Sequence, residues 1–126
     1  MTVNIEYTDE FGQWWSNLTV TQQNDIAVVV MLLEEKGVSL GFPYSSKING
    51  SKHSGMRELR IQSQGNPIRI FYMFDRIFYM FDPRRTAILL IGGDKTGDNR
   101  FYERFIPIAD KLYDIYLQEI KREGLI

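Results

Sequence analysis

The sequence predicts an α+β domain in which helices pack on an antiparallel sheet, in the order β-α-α-β-β-β-α. Two observations support this class: capped amphipathic helices near both ends of the chain, and three runs rich in β-forming residues between them. No linker-like stretch interrupts the 126 residues. Residues 1–126 are therefore predicted to form a single domain.

The N-terminal third is predicted to contain one strand and two helices. Residues 3–7 alternate apolar and polar side chains, which is typical of a short strand. Thr8 is expected to cap a first helix, whose two tryptophans lie at helical spacing and are interpreted as core. Thr19 and Gln22 fit a capping box that begins a second helix, which Gly37 is expected to end.

The rest of the chain is predicted to contain a loop, three strands and a final helix. Residues 41–55 form the loop, which is rich in glycine and serine. The strand-like runs, separated by turn signals, are MRELRIQ, PIRIFYMFD and TAILLIGG. After a glycine-rich segment, Asp98 is expected to cap a short helix through Phe105, and Pro107 to begin a longer helix as its first residue.

The composition excludes several kinds of site. The chain has no cysteine and one histidine, so no disulfide, no thiolate zinc site and no multi-histidine metal cluster is expected, and no cofactor is predicted. No apolar run approaches the ~20 residues that a membrane helix needs. The polar, acidic N-terminus is unlike a signal peptide. The sequence therefore predicts a cytoplasmic protein with no membrane partner.

The net charge of −1 conceals an uneven distribution of charge along the chain. Residues 44–104 contain eleven Lys and Arg against six Asp and Glu, a net +5, whereas the remaining residues carry a net −6. A basic middle flanked by acidic helical ends indicates a surface that faces a polyanion. The alternative is that these basic side chains only solvate the faces of strands.

Three stretches of the sequence together match the pattern of a known family. They are KINGSKHSGMRELR, PIRIFY and LLIGGDKTGDNRFYERFIPIADKLYDIYL. Over nearly its whole length the chain resembles the RelE/ParE toxin superfamily, in its HigB-like branch of phage-derived proteins. The resemblance implies the toxin of a toxin–antitoxin pair, with a helix-turn-helix antitoxin as partner. Many such toxins enter the ribosomal A site and cut messenger RNA, whereas others inhibit gyrase and cut nothing.

The resemblance also implies catalytic residues for strand scission by the 2′-hydroxyl of the RNA. This chemistry needs a base for the hydroxyl, cations for the phosphate and an acid for the leaving 5′-oxygen, but no metal. Arg60, Arg69 and Lys95 match positions at which relatives carry cations for the phosphate. The candidate for proton transfer is His53, because histidine exchanges protons near neutral pH, or alternatively a lysine of the same loop.

Further residues are implied by the resemblance to bind RNA. They are Lys47, Lys52, Arg57, Arg76 and Tyr102, the last at the position of a tyrosine that can stack on a base. Structural alternatives exist for these assignments. Arg60 could pair with Glu58, and Tyr102 could pack with Phe101 at the start of a helix.

One feature departs from the family pattern, because RIFYMFD occurs twice without change, at residues 69–75 and 76–82. Strand side chains alternate with a period of two, so two seven-residue copies cannot both keep their native faces in one straight strand. The surplus copy could be expelled as a loop, absorbed by a bulge, carried as a lengthened strand or paired with another molecule. A lengthened or bulged strand is favoured, with a strand-mediated homodimer as one consequence.

The resulting interpretation is a ribosome-dependent messenger RNA endonuclease whose activity is reduced or lost through the duplication. Arg69 faces the site if the first copy keeps the native register, and Arg76 replaces it if the second copy does. Two alternatives stay open. One is a non-catalytic toxin that binds a protein target such as gyrase, and the other is an inactive chain whose duplication blocks both activity and antitoxin binding.

Overall fold

A computed structural model describes residues 2–75 and 85–124, and this part of the chain contains a five-stranded sheet. The strands are β1 (Asn4–Tyr7), β2 (Ser45–Lys47), β3 (Arg57–Ser63), β4 (Asn66–Asp75) and β5 (Thr86–Asp94). Their spatial order is β1-β5-β4-β3-β2. The α+β class is confirmed, but the sheet is mixed, because β1 lies parallel to β5 while the other neighbours are antiparallel.

Three α-helices cover the two faces of the sheet. They are α1 (Asp9–Ser16), α2 (Val20–Lys36) and α3 (Phe101–Arg122), and a short 3-10 helix (Gly37–Ser39) follows α2. Both predicted caps are confirmed. The Thr8 side chain accepts a hydrogen bond from the backbone N of Phe11 at 3.0 Å, and Thr19 and Gln22 form the reciprocal capping box. No helix among the described residues is long and apolar enough to cross a membrane.

The segment after β5 forms one helix, so the prediction of two helices was wrong. Pro107 lies inside α3, and no side chain caps the helix at Arg100. Asp98 instead accepts a hydrogen bond from the backbone N of Arg100 at 3.0 Å. Proline removes a single backbone donor, and apolar residues on both sides of it pack against the sheet, so the helix continues.

The predicted loop at residues 41–55 contains the short edge strand β2, which the sequence analysis missed. β2 pairs with β3, placing Ser45 opposite Leu59 and Lys47 opposite Arg57. Serine-rich stretches have no intrinsic preference for strands. β2 is therefore stabilised by its pairing with β3 at the edge of the sheet. The local sequence gives no signal of this pairing.

The sheet separates two apolar cores, one beneath α1 and α2 and the other beneath α3. In β4, Ile70 and Tyr72 face the first core, while Phe71 and Met73 face the second, as strand alternation requires. Trp14 and Trp15 pack against the first core, as predicted. A Cβ on Gly92 of β5 would lie 2.3 Å from the Trp14 ring, so glycine is what lets α1 approach the strand this closely.

The first copy of the duplicated sequence forms the second part of β4. Arg69 pairs with Arg60 of β3, and Asp75, the last residue of this copy, pairs with Thr86 of β5. The second copy lies outside the described residues. Arg76, the lengthening of this strand and the strand-mediated homodimer are therefore left as predictions.

The ladder between β4 and β5 contains a β-bulge. Phe71 pairs with Ile91 and Tyr72 with Leu89, so Leu90 is the extra residue. This extra residue belongs to β5 and not to the duplicated strand. The bulge places Leu90 in the core beneath α3 and reverses the side-chain alternation of β5 beyond it.

Candidate functional site

A buried carboxylate, which the sequence analysis did not single out as functional, lies at the centre of the candidate site. Glu58 in β3 is 4% exposed. It faces α3, because its neighbour Leu59 faces the opposite core. Its Oε1 accepts a hydrogen bond from the Tyr102 hydroxyl at 2.7 Å, and its Oε2 accepts one from the Ser46 hydroxyl at 2.9 Å.

Two arginines from adjacent strands flank this carboxylate. Arg60 Nη1 lies 3.5 Å from Glu58 Oε2, and Arg69 Nε lies 3.6 Å from Glu58 Oε1. The Arg60 side chain is 29% exposed, whereas that of Arg69 is 5% exposed. Within the described residues, Arg69 Nε has no hydrogen-bond partner, although its Nη1 donates to the carbonyl of Ile68 at 3.1 Å. Arg60 can therefore reach an incoming phosphate more readily than Arg69.

Lys95 and Tyr102 complete the cationic side of the site. Lys95 Nζ lies 5.0 Å from the centroid of the Tyr102 ring, within the range of a cation–π contact. The backbone N of Lys95 donates to the carbonyl of Pro67 at 2.9 Å, which holds the loop after β5 beside the start of β4. Lys95 covers the Tyr102 ring and Glu58 binds its hydroxyl, so this geometry favours a hydrogen-bonding role over base stacking.

The Tyr102 hydroxyl keeps its proton at neutral pH. Burial raises the pKa of Tyr102, and the hydrogen bond and charge of Glu58 raise it further, whereas Arg69 acts in the opposite direction. Tyr102 can therefore donate a hydrogen bond throughout the physiological range.

An open pocket of about 390 Å³ adjoins these residues. It is lined by Lys47, Ile48, Asn49, Glu58 and Tyr102. Its volume lies within the range of about 300–1,000 Å³ that is common for ligand sites. The pocket gives a polar ligand access to Glu58, which the two arginines contact, and to Tyr102, which Lys95 contacts.

His53 and Lys52 belong to a different group of side chains, attached to α3. His53 Nε2 lies 2.8 Å from Asp114 Oδ1, and its ring meets that of Tyr113 edge-on at 4.7 Å. The Lys52 ammonium forms a salt bridge with Asp114, while its backbone N donates to Asp110 Oδ2 at 3.1 Å. These contacts tie the loop before β3 to α3. The proton-transfer role of His53 stays a prediction, and its contacts lie away from Glu58.

The remaining residues predicted to bind RNA are divided between the faces of the sheet. Arg57 Nε donates to the Ser45 hydroxyl at 3.1 Å, which in turn lies 2.6 Å from the hydroxyl of the buried Tyr72. Arg57 is thereby turned toward the face covered by α1 and α2. Lys47 pairs with Arg57 across the ladder but borders the pocket.

A family model for phage-derived Gp49-like proteins matches residues 13–114. The chain belongs to the Gp49-like family. The candidate toxin HigB3 of Mycobacterium tuberculosis is 39% identical over 106 residues, which are 83% of this chain and 85% of that protein. The candidate toxin HigB2 of the same organism is 32% identical over 115 residues, 90% of this chain and 54% of that protein.

A solved structure supports the fold of this Gp49-like chain. A free-state structure of a mutant Escherichia coli toxin RelE matches with a TM-score of 0.52 at 13% identity, covering 82% of this chain and 94% of that one. At this identity the match shows the fold alone. The HigB relatives show that the chain is a HigB-like toxin, which supports a place in a toxin–antitoxin system, and the solved structure shows that its fold is similar to that of RelE.

The sequence of this Gp49-like toxin did contain a signal for Glu58. In MRELRIQ, Leu59 and Ile61 alternate as core residues, so Glu58 and Arg60 must share the opposite face. A carboxylate next to a predicted catalytic arginine on one face of a buried strand is itself a candidate. The contribution of Ser46 could not be found in this way, because it depends on the unpredicted strand β2.

Proposed function

We propose that this toxin is a ribosome-dependent messenger RNA endonuclease in which Arg60, Arg69 and Lys95 stabilise the phosphate at the scissile bond. One observation carries the proposal. The two arginines, from adjacent strands, and Lys95, from the loop after β5, lie around a single carboxylate and a single tyrosine beside an open pocket. Messenger RNA as substrate and the ribosome as partner come from the resemblance to RelE-like toxins.

The proposed reaction transfers two protons and moves negative charge onto the phosphate. The 2′-hydroxyl loses its proton to a base and attacks the phosphorus, and the 5′-oxygen leaves with a proton. Arg60 and Lys95, which are partly exposed, take the charge that collects on the non-bridging oxygens. Tyr102 directs its hydroxyl toward the same region, and Arg69 adds positive potential from beneath. The reaction as proposed assigns no role to a metal.

The duplicated strand bears on whether the full chain is active. From the Arg69–Gly93 pair to the Asp75–Thr86 pair the β4–β5 ladder extends six residues along β4, or about 20 Å at ~3.3 Å per residue. The site therefore lies toward the end of the ladder that is farther from Asp75, the last residue of the first copy. The expectation of reduced activity stays a prediction.

The proposed test is messenger RNA cleavage in a cell-free translation system, with and without ribosomes. The full chain is compared with Arg60→Ala, Lys95→Ala and the matched control Asp114→Asn, and with a chain lacking residues 76–82. Cleavage that requires ribosomes, that survives Asp114→Asn and that is lost in both alanine variants supports the proposal. Cleavage by the shortened chain alone would show that the duplication disables the enzyme. No cleavage by either chain would contradict the proposal.

A second candidate function is a non-catalytic toxin that binds a protein target such as gyrase. The observation that favours it is an apolar groove of about 420 Å³ between β1, α1 and α2, beside Tyr7 and Met31, which are each 64% exposed. Exposed apolar surfaces are common at sites where proteins bind other proteins. Toxicity that persists in the Arg60→Ala and Lys95→Ala variants would favour this function.

Toxins of this kind have an antitoxin partner, and we propose that here it is a helix-turn-helix protein, as the resemblance implies. Co-expression of the full chain and of the chain lacking residues 76–82 with the antitoxin encoded beside the toxin gene would test this. Rescue of growth by both pairs is expected. Rescue of the shortened chain alone would indicate that the duplication blocks antitoxin binding.

A further inference from the structure

Four side chains surround the Glu58 carboxylate in this structure. Oε1 has the Tyr102 hydroxyl at 2.7 Å and Arg69 Nε at 3.6 Å. Oε2 has the Ser46 hydroxyl at 2.9 Å and Arg60 Nη1 at 3.5 Å. Each oxygen thus accepts one hydrogen bond from a hydroxyl and has one guanidinium at ion-pair distance. The proton of a substrate hydroxyl would have to compete with these four groups for the carboxylate.

The buried guanidinium of Arg69 needs this carboxylate. Its side chain is only 5% exposed, and arginine does not lose its proton in proteins. A buried charge is stable only when it is paired and hydrogen-bonded. Among the described residues, Glu58 is the acidic side chain that forms an ion pair with Arg69. The negative charge of Glu58 therefore offsets the cost of burying the Arg69 guanidinium beneath the pocket.

The same carboxylate sets the direction of the Tyr102 hydroxyl. α3 brings Tyr102 over the sheet, and Glu58 Oε1 is the acceptor that fixes its hydrogen. Phe71 lies edge-on to the Tyr102 ring at 6.2 Å and limits its rotation. A hydroxyl fixed before the substrate arrives does not have to reorganise during the reaction, which is the main advantage of a preorganised site.

We propose that Glu58 is a positioning residue, which holds Arg60, Arg69 and the Tyr102 hydroxyl in place beside the pocket before RNA binds. The catalytic part of this inference rests on the proposed endonuclease function. The positioning part does not, because it concerns the free protein. The competing role for Glu58 is the base that takes the proton of the 2′-hydroxyl, and the two hydroxyl donors and two guanidinium groups around the carboxylate argue against it.

The first test uses the full-length free protein and needs no RNA. The titration of Tyr102 is followed by NMR of its ring carbon next to oxygen, with the signal assigned from a Tyr102→Phe variant. Because Glu58 raises the pKa of Tyr102, Glu58→Gln is expected to let Tyr102 titrate at lower pH than in the wild type. Asp114→Asn is the matched control and should leave this titration unchanged. An unchanged titration in Glu58→Gln would overturn the positioning role.

The second test measures cleavage as a function of pH in the translation system. Glu58→Gln is expected to lower the turnover rate on the order of 100-fold, with little change in RNA affinity, because the displaced groups act mainly in the transition state. Its pH profile should keep the acidic limb of the wild type. Loss of that limb would identify Glu58 as the base and overturn the inference, as would cleavage at the wild-type rate.

A further variant guards against misfolding of Glu58→Gln. Ser46→Ala removes one donor from Oε2 and leaves the charge of Glu58 intact, so it is expected to lower turnover about 10-fold and leave the Tyr102 titration unchanged. A wild-type rate in Ser46→Ala would overturn the positioning role. A wild-type protein that cuts no RNA would refute the endonuclease function alone, because the Tyr102 titration still decides whether Glu58 positions the site.

Discussion

Two groups of charged side chains lie between the sheet and α3, and both contain residues that the resemblance implied for one catalytic site. The Glu58 group consists of Glu58, Ser46, Arg60, Arg69 and Tyr102. The Asp114 group consists of Asp114, Asp110, Ser51, Lys52 and His53. The Glu58 side chain is 6% exposed and the Asp114 side chain is 35% exposed. Similar pairings therefore occur in two very different dielectric environments.

The difference in exposure between the Glu58 and Asp114 carboxylates indicates different roles for the two groups. Exposed ion pairs contribute little to stability, since water and salt screen them. A buried carboxylate requires hydrogen bonds and opposite charges around it. Glu58 meets this requirement with two hydroxyls and two guanidinium groups, and it holds the guanidinium groups in a fixed arrangement. The Glu58 group borders the open pocket, whereas the Asp114 group fastens a loop to a helix. Burial of a carboxylate between two guanidinium groups distinguishes the candidate site, because the buried carboxylate of the Asp114 group, Asp110 at 8% exposed, is bound by the Ser51 hydroxyl and the backbone N of Lys52.

The largest expected difference between the groups is in folding stability. Glu58→Ala leaves Arg69 buried without its counter-charge, and breaking a buried pair in this way costs about 3–5 kcal/mol. Asp114→Ala removes a carboxylate that already lies in solvent, so its free energy of unfolding should stay close to that of the wild type. Urea denaturation followed by tryptophan fluorescence measures both. Equal losses would show that burial does not separate the two groups.

A smaller difference is expected between two lysines in messenger RNA cleavage. Lys95→Ala should reduce the rate about 100-fold, or about 2.7 kcal/mol, as loss of one transition-state donor commonly does. Lys52→Ala should reduce it less than about 10-fold, because Lys52 is bound to Asp114. Rates in the translation system at matched ribosome concentration measure this contrast. A larger loss in Lys52→Ala would place the Asp114 group in the site.

How far the sequence predicts these groups depends on whether the contacts are local or distant. The capping box at Thr19 was predictable because its contacts are three residues apart. Arg60 and Arg69 could be placed together because a hairpin of two strands connects them. Strand β2 and the uninterrupted α3 across Pro107 were not predictable, because each is stabilised by packing or pairing with elements distant in sequence.

The separation of the two groups is likewise a tertiary property. Lys52 and His53 precede β3 in the chain and resemble site residues by their chemistry. Only the path of α3 decides that Asp110 and Asp114 meet this loop, while Tyr102, two turns earlier, meets Glu58. No periodicity within the loop encodes which turn of a helix will lie above it, because the contacting helix residues follow the loop by 58 and 61 residues.

Tyr113 links the Asp114 group to the sheet. The Tyr113 hydroxyl donates to Asp75 Oδ2 at 2.9 Å, and its ring supports His53. Tyr113→Phe keeps the ring and removes this hydrogen bond, which should cost about 1 kcal/mol. Thermal unfolding of the two proteins measures the loss, and the His53 ring signals should hardly move. A loss as large as that of Glu58→Ala would mean that the Asp114 group is as strongly coupled to the core.

The smallest expected effect is the response of the Asp114 group to acid. Lys52, and to a lesser extent His53, lower the pKa of Asp114. A carboxyl group with a lowered pKa in the folded state stabilises that state above its ordinary pKa near 4, and the contribution is lost as the pH falls through the folded value. The steady-state heteronuclear NOE of residues 51–53 should therefore decrease below about pH 4, as the loop gains fast motion.

Asp114→Asn provides the control for this acid response, because it removes the Asp114 carboxylate and keeps Asp110, the carboxylate of α3 that also contacts this loop. The part of the pH dependence that disappears in Asp114→Asn belongs to Asp114. The amides of β3 serve as an internal reference within the same spectra. Addition of 1 M salt at pH 7 should reproduce part of the acid effect, since the Debye length falls to about 3 Å and the exposed pair is screened. A loop that stays rigid in acid, in salt and in Asp114→Asn would mean that the Asp110 contacts alone hold it.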